Sequence, residues 1–124
     1  MTNILDLFSR IFISLLFLIN GYFKVANYDE TLEWMEGYNV PEILLIPAII
    51  LEFAAPILII VGYKTKIAAF LLAAFCMTTA LIFHTDFSSQ IQITSFLKNI
   101  ALAGGFLLIV VNGAKKYSLD NIKK

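Results

Sequence analysis

The stretch IAAFLLAAFCMTTALIF, residues 67–83, carries no charged side chain from end to end. A transmembrane helix needs about 20 mainly apolar residues, within a range of about 17–25. Residues 67–83 fall within that range and predict a helix that crosses the membrane. Three further apolar blocks occur, each interrupted by one or a few polar residues. We expect four spans in one domain of residues 1–124, namely 4–25, 43–62, 67–84 and 93–112, followed by a short tail at 113–124.

The composition also favours a membrane protein. Of the 124 residues, 60% are hydrophobic and 15% are charged, and the mean hydropathy is +0.85. Soluble domains average about 45–50% apolar and about 25% charged residues. The formal net charge is zero and no basic patch occurs, which argues against a nucleic-acid partner. With a single cysteine, Cys76, the chain holds no internal disulfide or CxxC pair, and we expect no metal site.

The lysines predict the orientation. Lys64 and Lys66 lie in the short connection between the second and third spans. The tail adds Lys115, Lys116, Lys123 and Lys124. Cytoplasmic connections are enriched in lysine and arginine. We therefore expect both termini, the tail and the 64–66 connection in the cytoplasm (N-in/C-in), with neighbouring helices antiparallel.

The connection between the first two spans, residues 26–41, is longer and acidic. It carries Tyr28, Trp34 and Tyr38. Aromatic rings that bear a polar group settle at the membrane–water boundary. This segment therefore predicts a short interfacial helix, which completes an all-α, integral membrane four-helix bundle.

Polar residues inside the spans are the candidate functional residues. A charge at the centre of a transmembrane helix costs about 2.5–3.5 kcal/mol even on lenient insertion scales. Glu52 lies at the midpoint of the second span, and Arg10 and Lys98 lie at depths that make them its expected counter-charges. The predicted intramembrane polar cluster comprises Arg10, Asn20, Lys24, Glu52, His84, Lys98 and Asn99.

Small and polar residues recur at helical spacing on every span, and such stripes let membrane helices pack closely. The first two stripes are Arg10, Ser14, Phe17, Gly21 and Lys24, then Ala48, Glu52, Ala55 and Gly62. The other two are Ala69, Ala73, Cys76 and Ala80, then Lys98, Ala101, Gly105 and Asn112. We expect the four stripes to face a common interior. Pro56 also frees the backbone carbonyl of Glu52, which predicts a water-containing pocket beside that carboxylate.

Short motifs are spread over nearly the whole chain. They are Arg10, Gly21-Tyr22-Phe23-Lys24, Gly37 with Val40-Pro41, Glu52, Gly62-Tyr63-Lys64-Thr65-Lys66, His84, Lys98-Asn99, Gly104-Gly105 and Ser118-Leu119-Asp120. In this order and spacing the chain resembles the DoxX-like family of small four-helix membrane proteins. The resemblance implies a multi-pass protein of the bacterial cytoplasmic membrane and an association with a quinone-reducing redox system. The chain departs from thiol-redox relatives because it lacks a cysteine pair, and it has Ala55-Pro56 where the family pattern shows small residues.

Each polar residue has a structural interpretation beside the functional one. Glu52 is either a proton acceptor or ligand contact, or one half of a structural ion pair. Lys98 is interpreted as its counter-charge, and Lys24 as a side chain that extends to the membrane interface. His84 is expected to be hydrated at the end of its span. Ser118-Leu119-Asp120 is expected to form a turn or to cap a short tail helix.

Functions from different classes stay open. One is an accessory subunit of a membrane redox system, with no intrinsic cofactor and with quinone as the candidate ligand. Another is a small-molecule binder or proton-coupled transporter, acting as a homo-oligomer, and a third is a structural membrane subunit. Independent enzyme activity is the least expected, because the chain has no room for a cofactor domain, and no catalytic residue is assigned. The expected partners are the lipid bilayer and either a membrane redox protein or a second copy.

Overall fold

Helices form most of the chain that the structure describes. The structure is a computed structural model, it describes residues 1–122, and no strand occurs in that range. Lys123 and Lys124, which the orientation argument counts in the tail, lie outside the described residues. The helices are α1 Thr2–Ala26, α2 Tyr28–Gly37, α3 Leu45–Val61, α4 Thr65–Phe83, α5 Gln90–Asn112 and α6 Leu119–Ile122, with a 3₁₀ turn, Glu42–Leu44, before α3.

Four helical segments are long and apolar enough to span a membrane. They are Thr2–Ala26, Glu42–Val61, Thr65–Phe83 and Gln90–Asn112. The predicted all-α fold with four spans, and with a short helix between the first two, is confirmed. Helix α5, the fourth span, begins at Gln90, three residues before the predicted start at 93. Polar residues such as Gln90 and Gln92 can continue a helix, although their low hydropathy excludes them from a predicted span. The N-in/C-in orientation stays a prediction.

The spans pack as two antiparallel pairs. Helix α1 lies against α3, α4 lies against α5, and α3 and α4 join the pairs. The core between them is apolar and contains Phe17, Ile59, Leu72 and Phe106. The rings of Phe17 and Phe106 pack edge to face, with centroids 5.4 Å apart, and connect α1 to α5.

The predicted stripes on α1 and α4 form buried faces. On α1 the buried residues are Arg10, Ser14, Phe17 and Gly21. On α4 they include Ala69, Ala73, Cys76 and Ala80. Gly21 permits the close approach of α1 to α3, because a Cβ there would lie 3.1 Å from the ring of Phe53.

The predicted stripe on α5 is wrong for Ala101 and Asn112, whereas Gly105 faces Ile13 of α1. Lys98, Ala101 and Asn112 are exposed, and the buried residues of this helix are Ala103 and Phe106. The Phe106 ring packs on the Phe17 ring, with centroids 5.4 Å apart, and gains van der Waals contact that the small Ala101 side chain cannot supply. Side-chain volume therefore sets the rotation of α5, and the spacing of small residues does not.

One end of the bundle holds the start of α1, the α3–α4 turn and the C-terminal tail, and we name it the termini end. Arg10 is buried there, with 1% of its surface exposed. Its guanidinium donates to the carbonyl oxygens of Ile59 and Ile60, at 2.9 and 2.8 Å, at the end of α3. It also donates to the carbonyl of Tyr117 at 2.6 Å and to Asp6 Oδ2 at 3.0 Å. Arg10 thus ties α1 to α3 and to the tail.

The tail also covers the α3–α4 turn. The Asp120 carboxylate accepts hydrogen bonds from the backbone N–H groups of Lys64 and Thr65, at 2.8 and 3.0 Å, and from the Thr65 hydroxyl at 2.7 Å. The first N–H groups of a helix have no partner within the helix, so Asp120 caps α4 from the far end of the chain. The motif Ser118-Leu119-Asp120 is expected to form a turn or to cap a short tail helix, and the Ser118 hydroxyl does accept a hydrogen bond from the N–H of Asn121 in α6, at 3.4 Å. Its acid caps α4 in addition, which the sequence does not predict.

Candidate functional site

A cavity of about 470 Å³ lies at the opposite end of the bundle. Residues of α2 line it together with residues of the four spans, so we name it the α2-end cavity. Pockets that hold small organic ligands measure about 300–1,000 Å³. Six of the seven residues of the predicted polar cluster line this cavity, namely Asn20, Lys24, Glu52, His84, Lys98 and Asn99.

An ion pair forms part of the cavity wall. Lys24 Nζ and Glu52 Oε2 are 2.5 Å apart, and the side chains are 26% and 2% exposed. A lysine ammonium has three donors, so the bond to Glu52 leaves two of them for another group. The ammonium also lies 5.8 Å from the ring centroid of Phe75, within the range of a cation–π contact.

The expected counter-charges of Glu52 were wrong. Its partner is Lys24, and neither Arg10 nor Lys98 contacts it. Side chains on a helix tilt toward the helix N-terminus, and the N-terminus of α1 lies at the termini end. Lys24 therefore points back into the bundle from the last turn of α1, and does not extend to the interface. Arg10 does not line the cavity, because its donors are engaged at the termini end.

Several polar groups in the cavity wall are available to a ligand. Within residues 1–122, the side-chain amides of Asn20 and Asn99 make no hydrogen bond, and Lys98 has neither an ion pair nor a hydrogen bond. The hydroxyls of Thr78 and Thr79 donate to carbonyl oxygens of their own helix, at 2.8 and 3.1 Å. Each hydroxyl oxygen keeps lone pairs that accept hydrogen bonds.

His84 follows α4 directly and lies at the edge of the cavity. Its Nδ1 is 3.3 Å from Oε1 of Gln92 on α5, a contact in which the protonated tautomer donates to the amide oxygen. No group of three or more His, Cys, Asp and Glu side chains within the described part of the chain is placed to hold a metal ion. His84 is a half-buried polar residue of the cavity wall.

Aromatic side chains close the cavity toward α2. Trp34 of α2 stacks on Phe83, the last residue of α4, with ring centroids 4.3 Å apart and 20° between the planes. Tyr38 packs against both rings, at 5.4 and 5.0 Å. Trp34 and Phe83 line the cavity, and Trp34 is 45% exposed. The sequence places Trp34 and Tyr38 at the interface, but it carries no signal for their contact with Phe83, which depends on how α2 docks.

A second, shallower depression of about 960 Å³ lies at the termini end, against the tail. Its charged lining residues are Lys115 and Lys116, both exposed. Lys115 and Lys116 lie beyond the last membrane-spanning helix, where water solvates an exposed ammonium. The α2-end cavity, with a buried carboxylate in its wall, is therefore the candidate functional site.

Comparison with known proteins identifies the family. The chain matches DoxX over residues 5–85, a range that includes Lys24, Glu52 and His84. It is similar to inner membrane protein YqjF of Escherichia coli K12, with 35% identity over 116 residues, and to inner membrane protein YphA of the same strain, with 34% identity over 124 residues. Each match covers 94% of this chain and 89% of the relative. No solved structure matches the chain. With four membrane-spanning helices and these inner-membrane relatives, the chain belongs to the DoxX family and is a multi-pass protein of the cell membrane.

Proposed function

We propose that the α2-end cavity binds a quinone head group and that the protein serves as an accessory, non-catalytic subunit of a membrane redox system. The observation that carries this proposal is the convergence of polar side chains from all four spans on one cavity. Ligand pockets of this kind are mainly apolar, with a few polar groups that fix the ligand's orientation. The redox association rests on the family resemblance.

A quinone has the chemistry that this wall accommodates. It is a flat apolar ring with two carbonyl oxygens that accept hydrogen bonds. The free donors of Lys24 and the amides of Asn20 and Asn99 can serve such oxygens. Phe17 and Phe75 provide apolar surface for the ring. Because the cavity lies between the membrane-spanning helices, a lipid-soluble molecule is a suitable occupant.

A proton-coupled transporter is the second candidate, and the Lys24–Glu52 pair favours it. A buried ion pair beside a cavity can exchange a proton when a ligand separates its partners. The apolar core that includes Ile59, Leu72 and Phe106 lies between this cavity and the termini end. A transporter would have to open that layer, whereas a binding subunit needs no such change. We therefore rank binding first.

The single tryptophan of the chain, Trp34, lines the cavity and provides the test. Protein in lipid nanodiscs is titrated with 2-methyl-1,4-naphthoquinone while Trp34 fluorescence is recorded, and 2-methylnaphthalene serves as the ring without carbonyls. We expect saturable quenching by the quinone alone. Asn20→Leu and Asn99→Leu should each weaken binding by about tenfold, the loss expected from one hydrogen bond to a buried ligand.

Asn112→Leu is the matched control, because Asn112 is exposed on α5 and lies outside the cavity lining. It should bind the quinone like the parent protein. Quenching that never saturates, or that is the same for both ring compounds and for all variants, would overturn the proposal. A normally folded Glu52→Gln variant that loses uptake of a solute into proteoliposomes, with no quinone bound to the parent protein, would establish the transporter instead.

A further inference from the structure

The charges around the α2-end cavity do not balance. Its charged lining residues are Lys24, Glu52 and Lys98, so two positive charges face one negative charge. Lys24 and Glu52 form an ion pair, so their charges cancel. Lys98 has no ion pair and no hydrogen bond among residues 1–122, so its positive charge is the surplus. A protonated Glu52 would leave the cavity more positive, so the sign of the surplus does not depend on that proton.

Lys98 lies well inside its span. It follows Gln90, the first residue of α5, by eight positions, which places its Cα about 12 Å along the helix at about 1.5 Å per residue. Lysine side chains are rare at such depth and occur there with a partner or at a polar cavity. Lys98 and its neighbour Asn99 are the residues of α5 that line the cavity.

The acidic residues of α2 do not supply the missing counter-charge. Asp29, Glu30, Glu33 and Glu36 are exposed, and none of them lines the cavity. Glu30 lines a separate, shallower depression that adjoins the cavity on the side of Lys24 and does not include Lys98. Exposed charges are screened by water and salt over about 8–10 Å. Lys98 is exposed as well, but it lines the cavity and lies within a membrane-spanning helix, where bulk water screens it less than it screens the acids of α2.

We propose that the α2-end cavity selects a ligand with one negative charge and that Lys98 is the residue that selects it. This inference rests on the proposed function and deepens it, because it specifies a planar quinoid ring with an ionised ring hydroxyl. Such an anion neutralises Lys98, while its carbonyl oxygens accept hydrogen bonds from Lys24 and Asn99. Lys98 is thus a specificity-determining residue of the cavity.

The test compares two pairs of probes in nanodiscs of zwitterionic lipid, with Trp34 quenching and with mass spectrometry of the bound compound. One pair is 2-hydroxy-1,4-naphthoquinone, an anion at neutral pH, and neutral 2-methyl-1,4-naphthoquinone. The other pair is decanoate and decanol, which carry the same charge difference without the ring. Uptake of each probe by nanodiscs without protein is measured and subtracted. We expect the anionic quinone to bind about tenfold more tightly than the neutral one.

Three variants assign that preference to the charge. Lys98→Gln should abolish it, Lys98→Arg should keep it, and Lys116→Met, which removes an exposed lysine at the termini end, should leave it unchanged. Equal affinities of the two quinones in the parent protein, or a preference that survives in Lys98→Gln, would overturn the inference while the quinone proposal stands. Lys98-dependent binding of decanoate, with neither quinone bound, would overturn the quinone proposal and support selection of an anion.

Discussion

Arg10 and Glu52 are equally buried, at 1% exposed each, but their surroundings differ. Arg10 donates to three carbonyl oxygens and to the Asp6 carboxylate, so its donors are engaged within the fold. Glu52 has one charged partner, Lys24, and the rest of its carboxylate faces the α2-end cavity. The first arrangement serves the fold, because four of the five guanidinium N–H donors bond within it and Arg10 does not line the cavity. The arrangement around Glu52 leaves polar groups in the cavity wall that a ligand can contact.

The unequal exposure of Lys24 and Glu52 predicts an asymmetric response to mutation. Lys24→Met leaves a 2% exposed carboxylate without its partner and should lower the free energy of unfolding by about 3 kcal/mol. Glu52→Gln leaves an ammonium that is 26% exposed, so its cost should be smaller. The double variant should be more stable than Lys24→Met alone, because no buried charge remains. Thermal unfolding of the four proteins in one detergent measures this, and equal losses in both single variants would contradict it.

At the scale of the elements, the C-terminal tail forms hydrogen bonds that hold one end of the bundle together. It follows α5, accepts a hydrogen bond from Arg10 through Tyr117, and caps α4 through Asp120. The backbone N–H of Asp120 donates to the carbonyl of Gly62 at 2.7 Å. These contacts connect α1, the α3–α4 turn and the chain end, so the tail closes the termini end.

Asp120→Ala should loosen the start of α4. The variant removes the acceptor for the N–H groups of Lys64 and Thr65, and loss of a helix N-cap costs about 1–2 kcal/mol. Hydrogen exchange in the first turn of α4 should become faster, while exchange in α2 stays unchanged. Asp86→Ala is the control, because the Asp86 carboxylate bonds to Ser88 within its own turn. Unchanged exchange at Thr65 in the Asp120→Ala variant would show that the cap is absent.

Two glycines distinguish a required turn from an open helix surface. Gly62 ends α3 with a φ of +74°, and a Cβ there would overlap Ser118, so Gly62→Ala should destabilise the protein by about 2 kcal/mol or more. Gly104 lies in α5 with nothing within 4 Å of an added Cβ, so Gly104→Ala should keep or slightly raise the stability. Thermal unfolding compares them, and similar melting temperatures would contradict the tail contact.

At the scale of the whole molecule, the apolar blocks carry the fold information. A charge-free run such as residues 67–83 and three similar blocks predict the four spans, because the membrane requires that length and composition. Depth along each helix also brings Glu52, Lys98 and Asn99 to one level. The pairing of Lys24 with Glu52 is not predicted by depth, since it depends on side-chain tilt. The rotation of α5 is not predicted by the spacing of its small residues, because the packing of the Phe106 ring determines which face of the helix is buried.

The orientation of the molecule is a further prediction, since the lysines of the 64–66 connection and of the tail favour the cytoplasm. Single cysteines are introduced by Ser88→Cys in the α4–α5 connection or Lys116→Cys in the tail, in a Cys76→Ala background. A membrane-impermeant maleimide added to intact spheroplasts should label the first and spare the second. The reverse pattern would place both termini outside.

The central claim is that the α2-end cavity holds a quinone in the membrane, and the most direct test is the quinone retained by protein purified in mild detergent. Ala48→Phe fills the cavity, because Ala48 is a lining residue, and Ala101→Phe adds the same ring to the exposed face of α5. Mass spectrometry should find quinone on the parent protein and on Ala101→Phe, and only the level of empty micelles on Ala48→Phe. Equal amounts on all three, or none on the parent protein, would contradict the claim.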